Sequence, residues 1–267
     1  MRRLNPPNYR DPSVSTFSKD NQHVRTTRHC HHRTNAVAEE VGGTGIVSDL
    51  ESLDDVRTLA DTLLSTYLRI DVLANNAGGM YNTRALTGDG HERTLQTNYL
   101  APFLLTRLLL PRLVESGGRV VSTSSNANVQ GKIDLDDLNF SRRWNSGLGA
   151  YGACKLAINL FTTELATRST LSAFTFHPGF VRTGLAPDWW LLRAVTAATF
   201  GRCGVATEVV AAQFIRLDAD ESISDPIGTY FDRLKPNGKQ GSQATDRQLS
   251  SDLWNRTSAL VGLPADL

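Results

Sequence analysis

The stretch IDVLANNAG, residues 70–78, is a short apolar run that ends in a polar turn. Apolar runs of this length are typical of strands that are buried on both faces of a parallel sheet. The pattern returns in GGRVVSTSS, residues 117–125, and in LSAFTFHPG, residues 171–179. Because the carboxyl ends of parallel strands meet at one edge, the polar residues after these runs are predicted to line one crevice.

Segments with helical periodicity separate the apolar runs. They cover residues 34–41, 52–67, 91–113, 149–168, 206–217 and 246–263. Further short strands are predicted from residue 43 to Asp49 and at 228–233. Strands that alternate with helices of this length form βαβ units. The sequence therefore predicts an α/β fold, a Rossmann-like doubly wound parallel sheet in a single domain.

Length and composition exclude several classes of protein. The chain has 267 residues and a net charge of +1, which gives no reason to expect a nucleic acid or an anionic membrane as a partner. Three cysteines, Cys30, Cys154 and Cys203, do not suggest a disulfide framework, so a cytoplasmic location is expected. We find no secretory signal and no segment apolar and long enough to cross a bilayer.

The segment YGACK contains Tyr151 and Lys155, which lie four residues apart and so on one face of a predicted helix. A phenol has an unperturbed pKa of about 10, and a nearby ammonium lowers it. The pair is therefore suited to general acid/base catalysis, although the same spacing is also common on solvated helices. Ser124 and Ser125 end the preceding strand, where either hydroxyl could contact a substrate oxygen.

Taken together, these motifs resemble the short-chain dehydrogenase/reductase family, in its retinol-dehydrogenase-like branch. The family pattern of NNAG, Asn, Ser and Y-x-x-x-K occurs in order as residues 75–78, Asn98, Ser125 and Tyr151 with Lys155. HPGFVRT, residues 177–183, resembles the PG-x-V-x-T segment of the family. The resemblance covers residues 34–262 and implies an NAD(P)-dependent oxidoreductase that interconverts a hydrophobic alcohol and a carbonyl by hydride transfer.

The resemblance also implies roles for individual residues. Tyr151 would exchange a proton with the substrate oxygen, and Ser125 rather than Ser124 would hold that oxygen. Lys155 would lower the pKa of Tyr151 and bind the nicotinamide ribose, and Asn98 would hold a water next to Lys155. The cofactor, NAD or NADP, would supply the hydride. Its predicted contacts are Asp49, Leu50, Asn75, Ala77, Gly78, Tyr151, Lys155, Pro178, Gly179, Val181 and Thr183.

Several motifs also have simpler explanations. NNAG could be only a turn, since Asn and Gly are common turn residues. Trp189 and Trp190 lie where the family covers its substrate, which favours an apolar substrate, but they could equally pack on the core or on an interface. The resemblance further implies a homodimer or homotetramer, because the family often associates through the helices that include the Tyr151 helix.

The first 33 residues depart from the family pattern. The family opens with a strand and a glycine-rich loop that holds the cofactor pyrophosphate, but residues 1–33 contain no glycine. SVSTF, residues 13–17, and QHVRT, residues 22–26, are too poor in apolar residues to be predicted as the missing strands. The first βα unit is therefore predicted to be degraded or absent, with an irregular or disordered segment at 1–33 and the dehydrogenase domain at 34–267.

Two hypotheses follow from this departure. The N-terminal region is truncated or mistranslated relative to a functional relative, or the chain is a catalytically impaired relative that keeps the fold for binding or assembly. The choice between NAD and NADP cannot be made, because the discriminating residues lie in the altered region, near Arg28 and Arg33.

Two other features of this region are predicted not to bind a ligand. RHCHH, residues 28–32, is predicted to be a solvated stretch and not a metal site, since consecutive side chains diverge and no second ligand pair follows. GGTG, residues 42–45, follows a helix and precedes a strand, so it is predicted to stop a helix and not to hold phosphate.

Overall fold

The computed structural model describes residues 14–17, 23–26, 38–39, 42–142, 144–179, 205, 207–219, 223 and 228–267. Within these residues one sheet contains eight strands in the order β3-β2-β1-β4-β5-β6-β7-β8. The strands are β1 Val14–Phe17, β2 His23–Thr26, β3 Thr44–Gly45, β4 Val72–Asn75, β5 Arg119–Thr123, β6 Ser172–His177, β7 Tyr230–Asp232 and β8 Lys235–Pro236.

Helices lie on both faces of the sheet, as predicted. They are α1 Leu53–Thr66, α2 Arg93–Leu95, α3 Ala101–Glu115, α4 Gly147–Arg168, α5 Thr207–Ala219 and α6 Arg247–Leu260. A π-helical turn, Gln96–Leu100, joins α2 to α3, and a 3-10 helix, Asn126–Gln130, follows β5. The doubly wound α/β fold is thereby confirmed. Among the described helices, none has the length and apolar character needed to span a membrane.

The centre of the sheet is parallel and buried on both faces. β4 pairs with β5, β5 with β6 and β6 with β7, all in parallel. On one face, α1, α3, α4 and α6 pack over a core that includes Phe103, Phe161 and Trp254. On the other face, α5 packs over Phe174 and Phe176. This burial explains why the strands read as continuous apolar runs in the sequence.

The first two strands correct the prediction for the N-terminal segment. β1 and β2 lie within residues 1–33, pair with each other in antiparallel fashion, and place β1 antiparallel to β4. Only residues 18–22 separate them, which is too short for the crossover that parallel strands need. The edge of β4 can pair with a segment of low strand propensity, because strand pairing depends strongly on context. The division of the chain at residue 33 stays a prediction.

The segment that precedes α1 differs from the predicted strand in length. β3 covers only Thr44–Gly45, and residues 46–49 are not part of a strand. The prediction that GGTG stops a helix is confirmed. Gly42 has φ +68°, its N–H donates to Glu39 O, and Gly43 N–H donates to Ala38 O. This is the Schellman pattern of a helix end, in which the left-handed residue is usually glycine.

Candidate active site

Tyr151 and Lys155 lie in the first half of α4 and point toward the end of β5. Both side chains are buried, at 5% and 4% exposure. Lys155 Nζ donates to Thr123 O at 2.9 Å and lies 5.3 Å from the centroid of the Tyr151 ring. Ser146 caps this helix by accepting from Gly149 N–H. The helix therefore brings both predicted acid/base residues to the carboxyl edge of the sheet.

The two adjacent serines have different surroundings. Ser124 Oγ is buried and donates to Lys155 O at 3.2 Å. Ser125 caps the 3-10 helix, where its Oγ accepts from Ala127 N–H at 3.2 Å, and its side chain is hydrogen-bonded to Tyr151. Of the two hydroxyls, the one that contacts the Tyr151 phenol is thus that of Ser125, the serine that the family resemblance favours.

Asn98 reaches the same place from the π-helical turn. Its Nδ2 donates to Gly79 O at 2.8 Å, and its Oδ1 accepts from Gly79 N–H at 3.2 Å. A Cβ on Gly78 would lie 2.4 Å from Asn98 Oδ1 and 3.6 Å from Lys155 Nζ. Gly78, Asn98 and Lys155 are therefore brought together, at a distance that only glycine permits at position 78.

The π-helical turn is itself a local feature of interest, because such turns are rare and frequently lie at functional sites. Thr97 Oγ1 donates to Arg93 O at 2.8 Å, and Asn98 Nδ2 donates to Thr94 O at 3.0 Å. These side chains give backbone acceptors of the preceding turn additional partners. The Asn98 carboxamide is thus held by Thr94 O of the preceding turn and by the backbone of Gly79.

Burial controls the protonation of the two central residues. Burial raises the pKa of Tyr151, and the hydrogen bond to Ser125 lowers it by a smaller amount. Burial also lowers the pKa of Lys155 to about 8. The direction for Tyr151 is opposite to the one expected from its lysine neighbour, because desolvation disfavours the phenolate more than its neighbours stabilise it. At neutral pH, Tyr151 is a neutral phenol that can donate a proton.

The predicted adenosine contacts are less closely connected to this centre. Asp49 Oδ1 accepts from Glu51 N–H at 3.0 Å, just before α1, and Leu50 is buried. Asn75 lies at the end of β4, where its Nδ2 donates to Thr106 Oγ1 at 3.0 Å. Its Oδ1 is buried with no hydrogen-bond partner among the described residues. Ala77 packs partly against the core.

Pro178 and Gly179 follow β6, so they lie at the carboxyl edge with β4 and β5. Gly179 has φ +91°, and a Cβ there would lie 2.8 Å from Val205 Cγ2, so the backbone requires glycine. The other predicted residues of this segment, Val181, Thr183, Trp189 and Trp190, lie outside the described residues, as do Arg28, Arg33 and RHCHH. The described part of the chain contains no group of three potential metal ligands.

The contacts that Thr123 and Gly152 make in the site were not predicted from the sequence. Thr123 accepts from Lys155 through its backbone, and its Oγ1 donates to Asn76 Oδ1 at 2.6 Å. A Cβ on Gly152 would lie 2.7 Å from Ala127 O, and one on Gly131 would lie 2.4 Å from Gly152 O. Glycine inside a helix is costly, so Gly152 within YGACK was the available signal of a close backbone approach.

The site fits the nicotinamide ribose of a dinucleotide better than it fits the pyrophosphate. Lys155 has three N–H groups and donates one to Thr123 O, which leaves donors for a ribose hydroxyl. The Oδ1 of Asn75, which has no hydrogen-bond partner among the described residues, also suits a polar ligand. For the pyrophosphate, by contrast, residues 1–33 contain no glycine, and β1 continues to β2 without an intervening helix-length segment.

Comparison with known proteins gives a family match and close relatives. The family described as short chain dehydrogenase matches residues 13–191. A protein of Streptomyces sp. (strain C5) that carries the name daunorubicin C-13 ketoreductase DnrU is 38% identical over 255 residues, covering 93% of this chain and 84% of that protein. Retinol dehydrogenase 13 of Homo sapiens is 37% identical over 226 residues, covering 81% of this chain and 68% of that protein.

A solved structure supports the same relationship. The crystal structure of an uncharacterized protein from Mycobacterium paratuberculosis is 34% identical, has a TM-score of 0.70, and is matched over 91% of this chain and 85% of that one. Both the family match and this alignment include part of residues 1–33. Both N-terminal strands, β1 and β2, therefore lie within the residues that the family match covers.

Proposed function

The chain belongs to the short-chain dehydrogenase/reductase family of oxidoreductases, and we propose that it interconverts a hydrophobic alcohol and a carbonyl with NAD or NADP as its cofactor. The observation that carries the proposal is the buried phenol of Tyr151, hydrogen-bonded to Ser125 and next to the Lys155 ammonium. The substrate class is supported by relatives that are named as a ketoreductase and as retinol dehydrogenases.

The nicotinamide cofactor supplies or accepts the hydride when it is bound. Ser125 Oγ accepts from Ala127 N–H, so its O–H is the donor, and in the reaction it would donate to the substrate oxygen instead of to Tyr151. Tyr151 donates its proton to the same oxygen as the carbonyl is reduced. Lys155 stabilises the resulting phenolate, and Asn98 fixes the backbone at Gly79 beside Lys155.

The protonation state of Tyr151 suits the role of an acid. Because burial raises its pKa, the phenol keeps its proton at neutral pH and is ready to act as an acid. Oxidation of an alcohol needs the phenolate as a base, which this environment disfavours.

The experiment is to measure reduction of apolar ketones and aldehydes by the purified chain with NADH and with NADPH. Replacement of Tyr151 by Phe should lower kcat by at least about 100-fold, the range expected for loss of a general acid. Tyr99→Phe is the matched control, because it also removes a buried hydroxyl, one that bonds Thr257 of α6. Equal turnover by wild type and Tyr151→Phe would remove Tyr151 from the mechanism.

A second candidate function is a non-catalytic relative that keeps the fold for binding or assembly. The specific observation in its favour is the N-terminal hairpin, which has no glycine and places β1 antiparallel to β4. The two candidates differ in one measurable respect. An enzyme must bind a dinucleotide, whereas a chain that gives no saturable signal with millimolar NADH or NADPH fits the second candidate.

A further inference from the structure

We propose that Asn128 is a positioning residue for Ser125, and that the segment at 238–243 forms part of the active-site scaffold through it. This inference rests on the proposed function, since it assigns Ser125 to the reaction. Asn128 lies in the 3-10 helix that Ser125 caps, and it is fully buried. Its carboxamide is hydrogen-bonded to the Ser125 carbonyl, so we expect its effect on the reaction to pass through Ser125.

The Asn128 carboxamide connects two distant parts of the chain. Its Nδ2 donates to Ser125 O at 2.7 Å, and its Oδ1 accepts from Gly241 N–H at 3.1 Å. The Asn128 backbone N–H donates to the same Ser125 carbonyl at 3.0 Å. A Cβ on Gly241 would lie 2.7 Å from Asn128 O, so position 241 must be small for this contact to form.

A second set of contacts holds the same 3-10 helix against α4. Gly152 lies one residue after Tyr151, and a Cβ there would meet Ala127 O. Gly131 ends the 3-10 helix, and a Cβ there would lie even closer, at 2.4 Å from Gly152 O. The backbone around Ser125 is therefore clamped on one side by the Tyr151 helix and on the other by Gly241. On the second side, the Asn128 side chain makes the contact, since its Oδ1 accepts from Gly241 N–H.

The consequence for catalysis is geometric. Ser125 has one side-chain torsion, so the direction of its hydroxyl follows from its backbone and from the Ala127 N–H that Oγ accepts. The two hydrogen bonds to its carbonyl hold that backbone extended, at φ −158° and ψ 153°. A site that loses this support keeps its residues but loses the alignment that accelerates the reaction. We therefore expect a fall in kcat with little change in the KM for the cofactor.

The experiment compares Asn128→Leu with Asn159→Leu. Asn159 is also buried and also anchors the 238–243 segment, through a 2.8 Å bond from its Nδ2 to Gln240 Oε1, but its side chain does not contact Ser125. We expect Asn128→Leu to lower kcat about tenfold and Asn159→Leu to change it less than about twofold, at a temperature where both are folded. Equal losses of kcat in the two variants would overturn the proposal.

A double-mutant cycle with Ser125→Ala tests whether the effect passes through Ser125. If Asn128 acts only by positioning this hydroxyl, Asn128→Leu should change kcat by less than about twofold in the Ser125→Ala background. A further tenfold loss there would show an independent role and contradict the proposal. If Asn128→Leu does not fold, Asn128→Asp preserves the shape and the acceptor for Gly241 N–H, and it takes its place in the cycle.

Amide hydrogen exchange separates failure of this inference from failure of the proposed function. Exchange at residues 125–131 is measured without cofactor or substrate, so it does not depend on activity. We expect faster exchange there in Asn128→Leu and wild-type exchange in Asn159→Leu. A chain without turnover that shows this difference would refute the proposed function but support the positioning role, whereas identical exchange in both variants would refute the positioning role.

Discussion

At the ends of β4 and β5, polar side chains and a glycine converge on Tyr151 and Lys155, whereas the ends of β1, β2 and β3 supply no comparable group among the described residues. In the first region, Ser125 bonds Tyr151 and Gly78 permits the approach of Asn98. In the second, a hairpin occupies the sheet position of a βα unit, and residues 1–33 contain no glycine.

Acid/base chemistry and pyrophosphate binding in a dehydrogenase therefore depend on different parts of the sequence. The proposed acid/base residues come from residues 98–155, on elements that pack tightly against each other. A pyrophosphate is held by a glycine-rich turn and a helix N-terminus after the first strand. We expect well-aligned acid/base residues but weak dinucleotide binding. Variants in the region at the ends of β4 and β5 should therefore lower kcat more than variants in the region of β1, β2 and β3.

The largest effect is expected at Ser125, and the adjacent Ser124 provides the matched control. Ser125→Ala removes the hydroxyl that bonds Tyr151 and should lower kcat about 100-fold, since it removes a donor to the reacting oxygen. Ser124→Ala removes a hydroxyl that bonds only Lys155 O and should change kcat less than about fivefold. Steady-state reduction kinetics measure both. A larger loss for Ser124→Ala would mean that the wrong serine has been assigned.

A smaller effect is expected at Gly78. Gly78→Ala places a Cβ where Asn98 Oδ1 now lies, so Asn98 must move, and we expect kcat/KM to fall about 30-fold. Gly79→Ala is the matched control, because its Cβ would meet only the Tyr81 ring at 3.4 Å. The same kinetic assay compares them. If both alanines are equally active, the close approach of Gly78 and Asn98 does not matter for the reaction.

A pH dependence of up to about tenfold is expected from Lys155. Its pKa of about 8 means that the ammonium is present below pH 8 and is lost as the pH rises through that value. Carbonyl reduction should slow over this range, because the phenolate left by Tyr151 loses its cationic neighbour. Rates from pH 6.5 to 9.5 measure this. Lys155→Met should be slow throughout and lack the step, and an unchanged step in that variant would assign it to another group.

The smallest effect is expected in the second region. Asp49→Asn removes the charge proposed to contact the adenosine and should raise the cofactor KM about threefold, with kcat unchanged, since a partly exposed polar contact contributes little. The isosteric change keeps an acceptor for Glu51 N–H. Initial rates of Asp49→Asn and of Gly78→Ala, measured against cofactor concentration, test this expectation. A loss of kcat at position 49 that exceeds the loss at position 78 would contradict the division into two regions.

Much of the fold and the site follows from local sequence patterns. The α4 helix, the parallel strands and the pairing of Tyr151 with Lys155 depend on periodicity and short motifs, which the family resemblance extends to Ser125 and Asn98. The hairpin at Val14–Phe17 and His23–Thr26 could not be predicted, because the available sheet edge at β4 outweighs its low strand propensity.

Two other features depend on contacts that no local pattern contains. The support of Ser125 by Asn128 depends on Gly241, which is 113 residues away in the sequence. The raised pKa of Tyr151 depends on complete burial, whereas the sequence showed only the neighbouring lysine.

We propose that the Tyr151 region serves a dinucleotide-dependent reaction although residues 1–33 contain no glycine-rich loop. Fluorescence titration of the full chain with NADH and with NADPH tests it most directly. We predict saturable binding of at least one of them with a Kd of about 0.1–1 mM, and similar binding by Tyr151→Phe. The absence of saturable binding of either dinucleotide up to several millimolar would contradict the claim.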